Sequence, residues 1–102
     1  MKHTKKEYKM ALQNTKRKQC FGYLAYNECR CGNGVILEDV FGWKYKISKA
    51  SGRNVWVNEK GIQVKGVQKE AGDLINYNSL FCEIAGMNDN EKLSFKEIAK
   101  NI

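Results

Sequence analysis

Four cysteines, at positions 20, 29, 31 and 82, are the side chains of this chain best equipped for covalent or metal chemistry. Cys29 and Cys31 flank Arg30, and Cys20 and Cys82 would bring the thiolates to the four that a structural zinc ion takes. Such sites are built from paired knuckles with roughly two to four residues between thiols. This chain has one pair, and it is shorter. The expectation is therefore free, buried or half-buried thiols, with Cys20, Cys29, Cys31 and Cys82 as the ligand set if a metal binds at all. A Cys29–Cys31 disulfide would be strained. A nucleophilic thiol needs a base held close to it. The single histidine, His3, stands near the chain terminus, so Cys31 is a weak nucleophile candidate. Glu38 and Asp39 are sequence neighbours that point in different directions on a helix. Asn88-Asp89-Asn90-Glu91 has the composition of a calcium loop without its alternating ligands or its closing glutamate, and reads as a turn before the last helix. These residues assemble no catalytic constellation. The chain is read as a non-enzyme without a cofactor.

Cations offer more. Lys16, Arg17 and Lys18 cluster just before Gln19, Arg30 lies between two thiols, and Lys44, Lys46, Lys49 and Arg53 fall within ten residues. These nine positions are the candidate binding residues. Charge is uneven: residues 1–18 carry a net +6, residues 19–70 a net +3, and residues 71–102 a net −2, within an overall +7. A basic block attracts polyanions by releasing their counterions. Nucleic acid, a nucleotide and an acidic protein face all remain open as partners, beside the plain reading of a solvated helix. Base stacking would require exposed aromatic rings. Trp43, Tyr45 and Trp56 are expected to point into the core.

The elements that would position these residues form an α+β pattern. Thr4 to Lys16 reads as a helix, with Thr4 and Glu7 at capping-box spacing and an apolar stripe of Tyr8, Ala11, Leu12 and Thr15. Cys20 to Tyr26 reads as a short extended segment. Asn27 to Gly34 is a turn in which Gly32, Asn33 and Gly34 would supply unusual backbone angles. Val35 to Phe41 reads as a short helix or a buried strand ending at Gly42, with the helix favoured because Asn33 can cap it and Gly42 sits where a helix stops. Trp43, Tyr45 and Ile47 alternate with Lys44, Lys46 and Ser48, the signature of a strand with one apolar and one basic face. Turns at 50–53 and 58–61 separate it from Val55-Trp56-Val57 and Ile62-Gln63-Val64. Those three runs predict an antiparallel meander. Gly66 to Ala71 reads as a helical turn closed by Gly72. Ser94 to Ile102 is a capped helix with Phe95, Ile98, Ala99 and Ile102 along one stripe. The fold expected is one domain, residues 1–102: a small antiparallel β meander of three or more strands packed by N-terminal and C-terminal helices.

A chain of 102 residues with 42% hydrophobic content is long enough for one modest core without staples. No apolar run is long enough to span a membrane, and MKHTKKEYKM lacks the apolar core of a signal peptide. The expected compartment is a cytoplasm, where thiols stay reduced.

Three segments, ALQNTKRKQCFGYL, CRCGNGVILEDV and GMNDNEKLSFKEIAKNI, carry a resemblance. In that order they resemble a family of small proteins encoded by phages and prophages. The matching positions are Ala11-Leu12, Lys18-Gln19, Gly22, Leu24, Cys31, Gly34-Val35, Asp39, Asn88-Asp89, Ser94-Phe95 and Ile98-Ala99. The family more often places its thiols side by side, so Cys29 departs from it, and residues 43–65 lie outside the pattern. The resemblance implies a setting, a bacterial host, more than a mechanism. In that setting a protein without a catalytic constellation is expected to act by stoichiometric binding, as a counter-defence or host-modulating inhibitor of anti-CRISPR type. Its partner would be a host or defence-system protein, met through a basic hairpin that supplies specificity.

Overall fold

A computed structural model describes residues 3–76 and 79–102. Helix α1 (Lys5–Asn14) begins where expected: the Thr4 hydroxyl accepts from the Glu7 amide and the Glu7 carboxylate accepts from the Thr4 amide, a complete capping box. It ends before Lys16 because Thr15 turns extended. Tyr8 and Leu12 bury the apolar stripe. Lys2, part of the basic amino-terminal block, lies outside the described residues.

Three two-residue strands follow, β1 (Lys18–Gln19), β2 (Ala25–Tyr26) and β3 (Cys29–Arg30). They form a mixed sheet in the order β1-β3-β2, with β1 parallel and β2 antiparallel to β3. The extended segment expected over 20–26 is thus broken. Gly22 sits at φ +91°, which turns the chain out of the sheet and lets it return as β2.

Helix α2 (Gly32–Asp39) is buried from Gly32 to Leu37. It starts three residues earlier than expected. Its N-cap is Cys31, whose sulfur accepts from the Gly34 amide, and Asn33 lies inside the helix with its side chain turned into the protein. Gly32 and Gly34 do not supply unusual dihedrals. They are small because a neighbour occupies the space a Cβ would need: Ile84 Cγ2 would lie 2.9 Å from one at Gly32, and the Leu24 carbonyl stands on the place of one at Gly34. The left-handed positions fall elsewhere, at Asn27 (φ 53°), Gly42 (φ 78°) and Lys92 (φ 54°) among others.

The antiparallel hairpin of β4 (Lys44–Ile47) and β5 (Asn54–Val57) follows, with Tyr45 opposite Trp56. The third expected strand joins through a single bridge, Val57 with Gln63, reinforced by the Val64 amide donating to Trp56. Helix α3 (Val67–Asn76) runs through Gly72 instead of stopping there. Helix α4 (Ser79–Ala85) continues into a π-helical turn over Gly86–Asn90, in place of a simple turn, and α5 (Phe95–Lys100) is closed at its start by a Ser94–Glu97 capping box, as expected. Among the described residues no helix is long and apolar enough to cross a membrane.

The molecule is thus α+β, with α1 packed on α5 and α2 central to the core. Val35, Ile36, Leu37, Ile75, Ile84 and Ile98 are fully buried around α2. Trp43 and Trp56 close that core from the hairpin side, their rings 6.2 Å apart. Pairs of this kind contribute about 1 kcal/mol beyond the area they bury.

Candidate functional site

Hydrogen bonds from three separate segments converge around the start of α2. Asn88, fully buried in the π-helical turn, accepts through Oδ1 from Gln19 Nε2 (2.7 Å) and from the Gly32 amide (3.1 Å). Its Nδ2 donates to the Cys20 carbonyl (2.7 Å) and to Asp89 Oδ1 (2.7 Å). Asp89 Oδ1 in turn accepts from the Gly22 amide (2.8 Å), and Gln19 also donates to the Leu93 carbonyl (2.7 Å). Leu24 closes the other side, its carbonyl accepting from the Cys31 amide while it fills the space beside Gly34. One buried amide therefore ties the π turn, the segment after β1 and the first turn of α2 together. Sequence reasoning read Asn88-Asp89 as a turn and missed this role, although the unusual pairing of an amide and an acid before an apolar helix was visible.

The thiols do not gather. Parallel pairing of β1 with β3 sets Lys18 opposite Cys29, which carries Cys20 alongside, and Cys20 and Cys29 form a disulfide with Cα atoms 5.3 Å apart. This corrects the expectation of four free thiols, which weighed only the C-x-C pair and could not foresee the parallel register. Cys31 is a buried free thiol, 4% exposed, and burial pushes its pKa up to about 11 against the helix amides that pull it down. A neutral, enclosed thiol is a poor nucleophile. Cys82 is free and exposed. Among the described residues no three cysteine, histidine or acidic side chains stand together as a metal site, so the four-thiolate set does not form. His3 meets Glu7 (2.9 Å) and the edge of the Phe41 ring, not a cysteine.

The nine candidate binding residues divide into two groups. Arg30 is buried, bonded to Glu38 and to the carbonyls of Asn27 and Cys29, with its guanidinium 5.2 Å from the Tyr45 ring centre. Gln19 belongs to the Asn88 network. Arg17 spans Glu38 (3.2 Å) and Asp39 (2.8 Å), giving those two acids a shared partner that sequence reasoning did not assign. These three side chains are engaged by partners within the fold. Lys16, Lys18, Lys44, Lys46, Lys49 and Arg53 are exposed, and none forms an ion pair among the described residues. Four of the six lie on the β4–β5 hairpin: Lys44 and Lys46 on β4 at alternate positions, Lys49 and Arg53 around the turn, where Gly52 at φ +72° and a Ser48–Arg53 backbone hydrogen bond of 2.8 Å hold the bend. Lysine along an edge strand also discourages unwanted strand pairing, a purely structural use.

Trp43 and Trp56 face inward as expected and Tyr45 is half-buried, so the lysine face of the hairpin carries no stacking platform of its own. Among the described residues the exposed aromatics lie elsewhere. Phe21, Tyr23 and Tyr26, 43%, 61% and 58% exposed, all stand on the loop that the Cys20–Cys29 disulfide closes. No protein-family model, curated protein or solved structure matches the chain.

Proposed function

We propose that this is a phage- or prophage-encoded binding protein that acts without catalysis, as a counter-defence or host-modulating inhibitor of anti-CRISPR type that occupies a host or defence-system protein. The observation that carries the reading is the division of labour among its polar residues. Positions that carry the family resemblance, such as Gln19, Gly34, Asn88 and Asp89, are spent inside the fold. The hairpin outside that resemblance holds Lys44, Lys46, Lys49 and Arg53 exposed and unpaired. A braced scaffold with an exposed, charged hairpin is an arrangement that specific association uses, because complementary charge steers encounter and rejects wrong partners.

The partner face would be acidic. The test is a pull-down of tagged protein from bacterial lysate, with and without nuclease, repeated with a Lys44→Glu/Lys46→Glu/Lys49→Glu/Arg53→Glu variant. One stoichiometric protein, recovered equally in both nuclease arms and lost with the charge reversal, is the expected result. Recovery that collapses on nuclease treatment would transfer the hairpin to nucleic acid, the reading that its unpaired cations also favour. Turnover of a substrate by the pure protein would overturn both.

A further inference from the structure

We infer that the disulfide-closed loop from Cys20 to Cys29 is a stacking site for single-stranded nucleic acid, with Tyr23 and Tyr26 as its platform. The loop is held rigidly for its size. The disulfide joins its ends, the Cys20 amide donates to the Arg30 carbonyl (2.8 Å), the Cys31 amide to the Leu24 carbonyl (3.2 Å), and the Gly22 amide to Asp89 (2.8 Å). Two left-handed residues, Gly22 and Asn27, shape its bends. Such bracing leaves little entropy to be lost when a ligand settles on the rings.

Among the described residues, Phe21, Tyr23 and Tyr26 are the exposed aromatics, and all three stand on this loop. The Tyr23 and Tyr26 rings are more than half exposed and lie 5.6 Å apart at an interplanar angle of 36°. That separation is too small for a base to slide between them, so each ring offers its outer face to one base. Lys18 flanks the hollow beside Tyr26, and elsewhere on the same loop Lys92 Nζ sits 4.8 Å over the exposed Phe21 ring. The acids nearby are Glu28, which lines the same hollow as Lys18 and Tyr26, and Asp89, whose Oδ1 already takes the Gly22 and Asn88 N–H groups. Exposed rings beside amines in a chain of net charge +7 fit unpaired bases on a phosphate backbone. Duplex bases are already stacked and cannot present their faces. The rings supply the ingredient that the hairpin lysines lack, and the inference stands independently of the protein-partner reading above.

The experiment is a fluorescence-anisotropy titration of the oxidised full chain against a labelled, mixed-sequence single strand of about 15 nucleotides, near the upper site size of small single-strand binders. The same strand annealed to its complement is the comparison. Single-strand binding that exceeds duplex binding is expected, weakened about 30-fold or more by Tyr23→Ala/Tyr26→Ala, at about 1–3 kcal/mol per stacked base. Tyr23→Phe/Tyr26→Phe keeps the rings and should keep the affinity. Both pairs are at exposed positions, so the fold survives them, and circular dichroism confirms it. Equal affinity for duplex, affinity unchanged by the alanine pair, or no binding at low salt would each overturn the inference. The charge-reversal arm of the lysate capture changes hairpin residues alone, so nuclease-sensitive recovery that survives it and is lost with Tyr23→Ala/Tyr26→Ala belongs to this loop.

Discussion

Gln19 and Asn88, 69 residues apart in sequence, share a 2.7 Å side-chain hydrogen bond, and the same Asn88 oxygen accepts from the backbone of Gly32. The carboxamide is suited to this place because it both accepts and donates. Its oxygen serves the orphan amide at the start of α2, and its nitrogen serves the Cys20 carbonyl on the neighbouring segment. An aspartate would lose the donors, and a leucine would lose everything.

Asn88→Ala is therefore expected to strand the Gly32 amide and the Cys20 carbonyl. Each buried polar group left without a partner costs about 1–3 kcal/mol. A loss of about 3 kcal/mol follows, which lowers Tm by about 15 °C for a domain of this size. Gln19→Ala removes one donor from a half-buried position and should cost about 1 kcal/mol. Urea titration of both variants checks the ranking. Equal midpoints for wild type and Asn88→Ala would show the network to be idle.

The three glycines of α2 and α3 should respond differently to alanine. Gly34→Ala sets a methyl on the Leu24 carbonyl, and backbone cannot swing aside, so the loop from Cys20 to Cys29 must lift. A cost of about 3 kcal/mol is expected, the upper range for overpacking. Gly32→Ala meets Ile84 Cγ2 at 2.9 Å, a side-chain atom that can give way, and the helix propensity of alanine offsets part of the strain. At Gly72 the nearest atom is Phe81 Cδ2 at 3.7 Å, an ordinary contact. Gly72→Ala is expected to stabilise α3 by about 0.5–1 kcal/mol. Thermal melts that rank Gly72→Ala above wild type and Gly34→Ala lowest would bear this out.

Local signals were legible in the residues and distant pairings were not. Both capping boxes, the apolar stripe of α1 and the lysine-aromatic alternation at Trp43–Ile47 announced their elements because period and cap chemistry act over four or five positions. Ile47 broke the pattern by ending 66% exposed at the strand tip. The parallel β1–β3 register, and with it the Cys20–Cys29 disulfide, depends on a crossover that no local period encodes. Asn33 misled for the same reason. Its composition suits a cap, but its Nδ2 bonds the Phe81 carbonyl 48 residues away, and that tertiary partner outweighs the local preference. Arg30 stood among the candidate binding residues, and only the fold shows that Glu38, eight residues on, pairs with it.

Acid should expose the two capping boxes. The Ser94 backbone N–H, and then its hydroxyl, hold the Glu97 carboxyl below its ordinary value of 4.5, and the Thr4 backbone N–H does the same for Glu7. A depressed carboxyl stabilises the fold fully above the unfolded value, and the contribution disappears as pH falls from 4.5 through the lower folded value. Glu97→Gln, which cannot ionise, should flatten the fall of Tm below pH 4.5 relative to wild type. Ser94→Ala removes the cap itself and should cost about 1 kcal/mol at neutral pH. An identical acid slope in wild type and Glu97→Gln would remove Glu97 from the account.

Alkali tests Cys31 in the opposite sense. Burial lifts its pKa from 9.0 to about 11, so the folded thiol keeps its proton where the unfolded thiol has lost it. Stability then declines as pH rises between about 9 and 11, because the unfolded state binds fewer protons there. A two-unit difference corresponds to about 3 kcal/mol. Lysines and tyrosines titrate in the same window, so the comparison must be with Cys31→Ser, which keeps a side-chain acceptor for the Gly34 amide at the helix N-cap and has no thiol to ionise. The serine variant should lose stability less steeply than wild type above pH 9. Thiol labelling gives the companion measurement: at pH 8 the native oxidised protein should react quickly at exposed Cys82 alone, with Cys31 following only after denaturant is added. Rapid labelling of Cys31 in the native state would contradict its burial and restore it as a nucleophile.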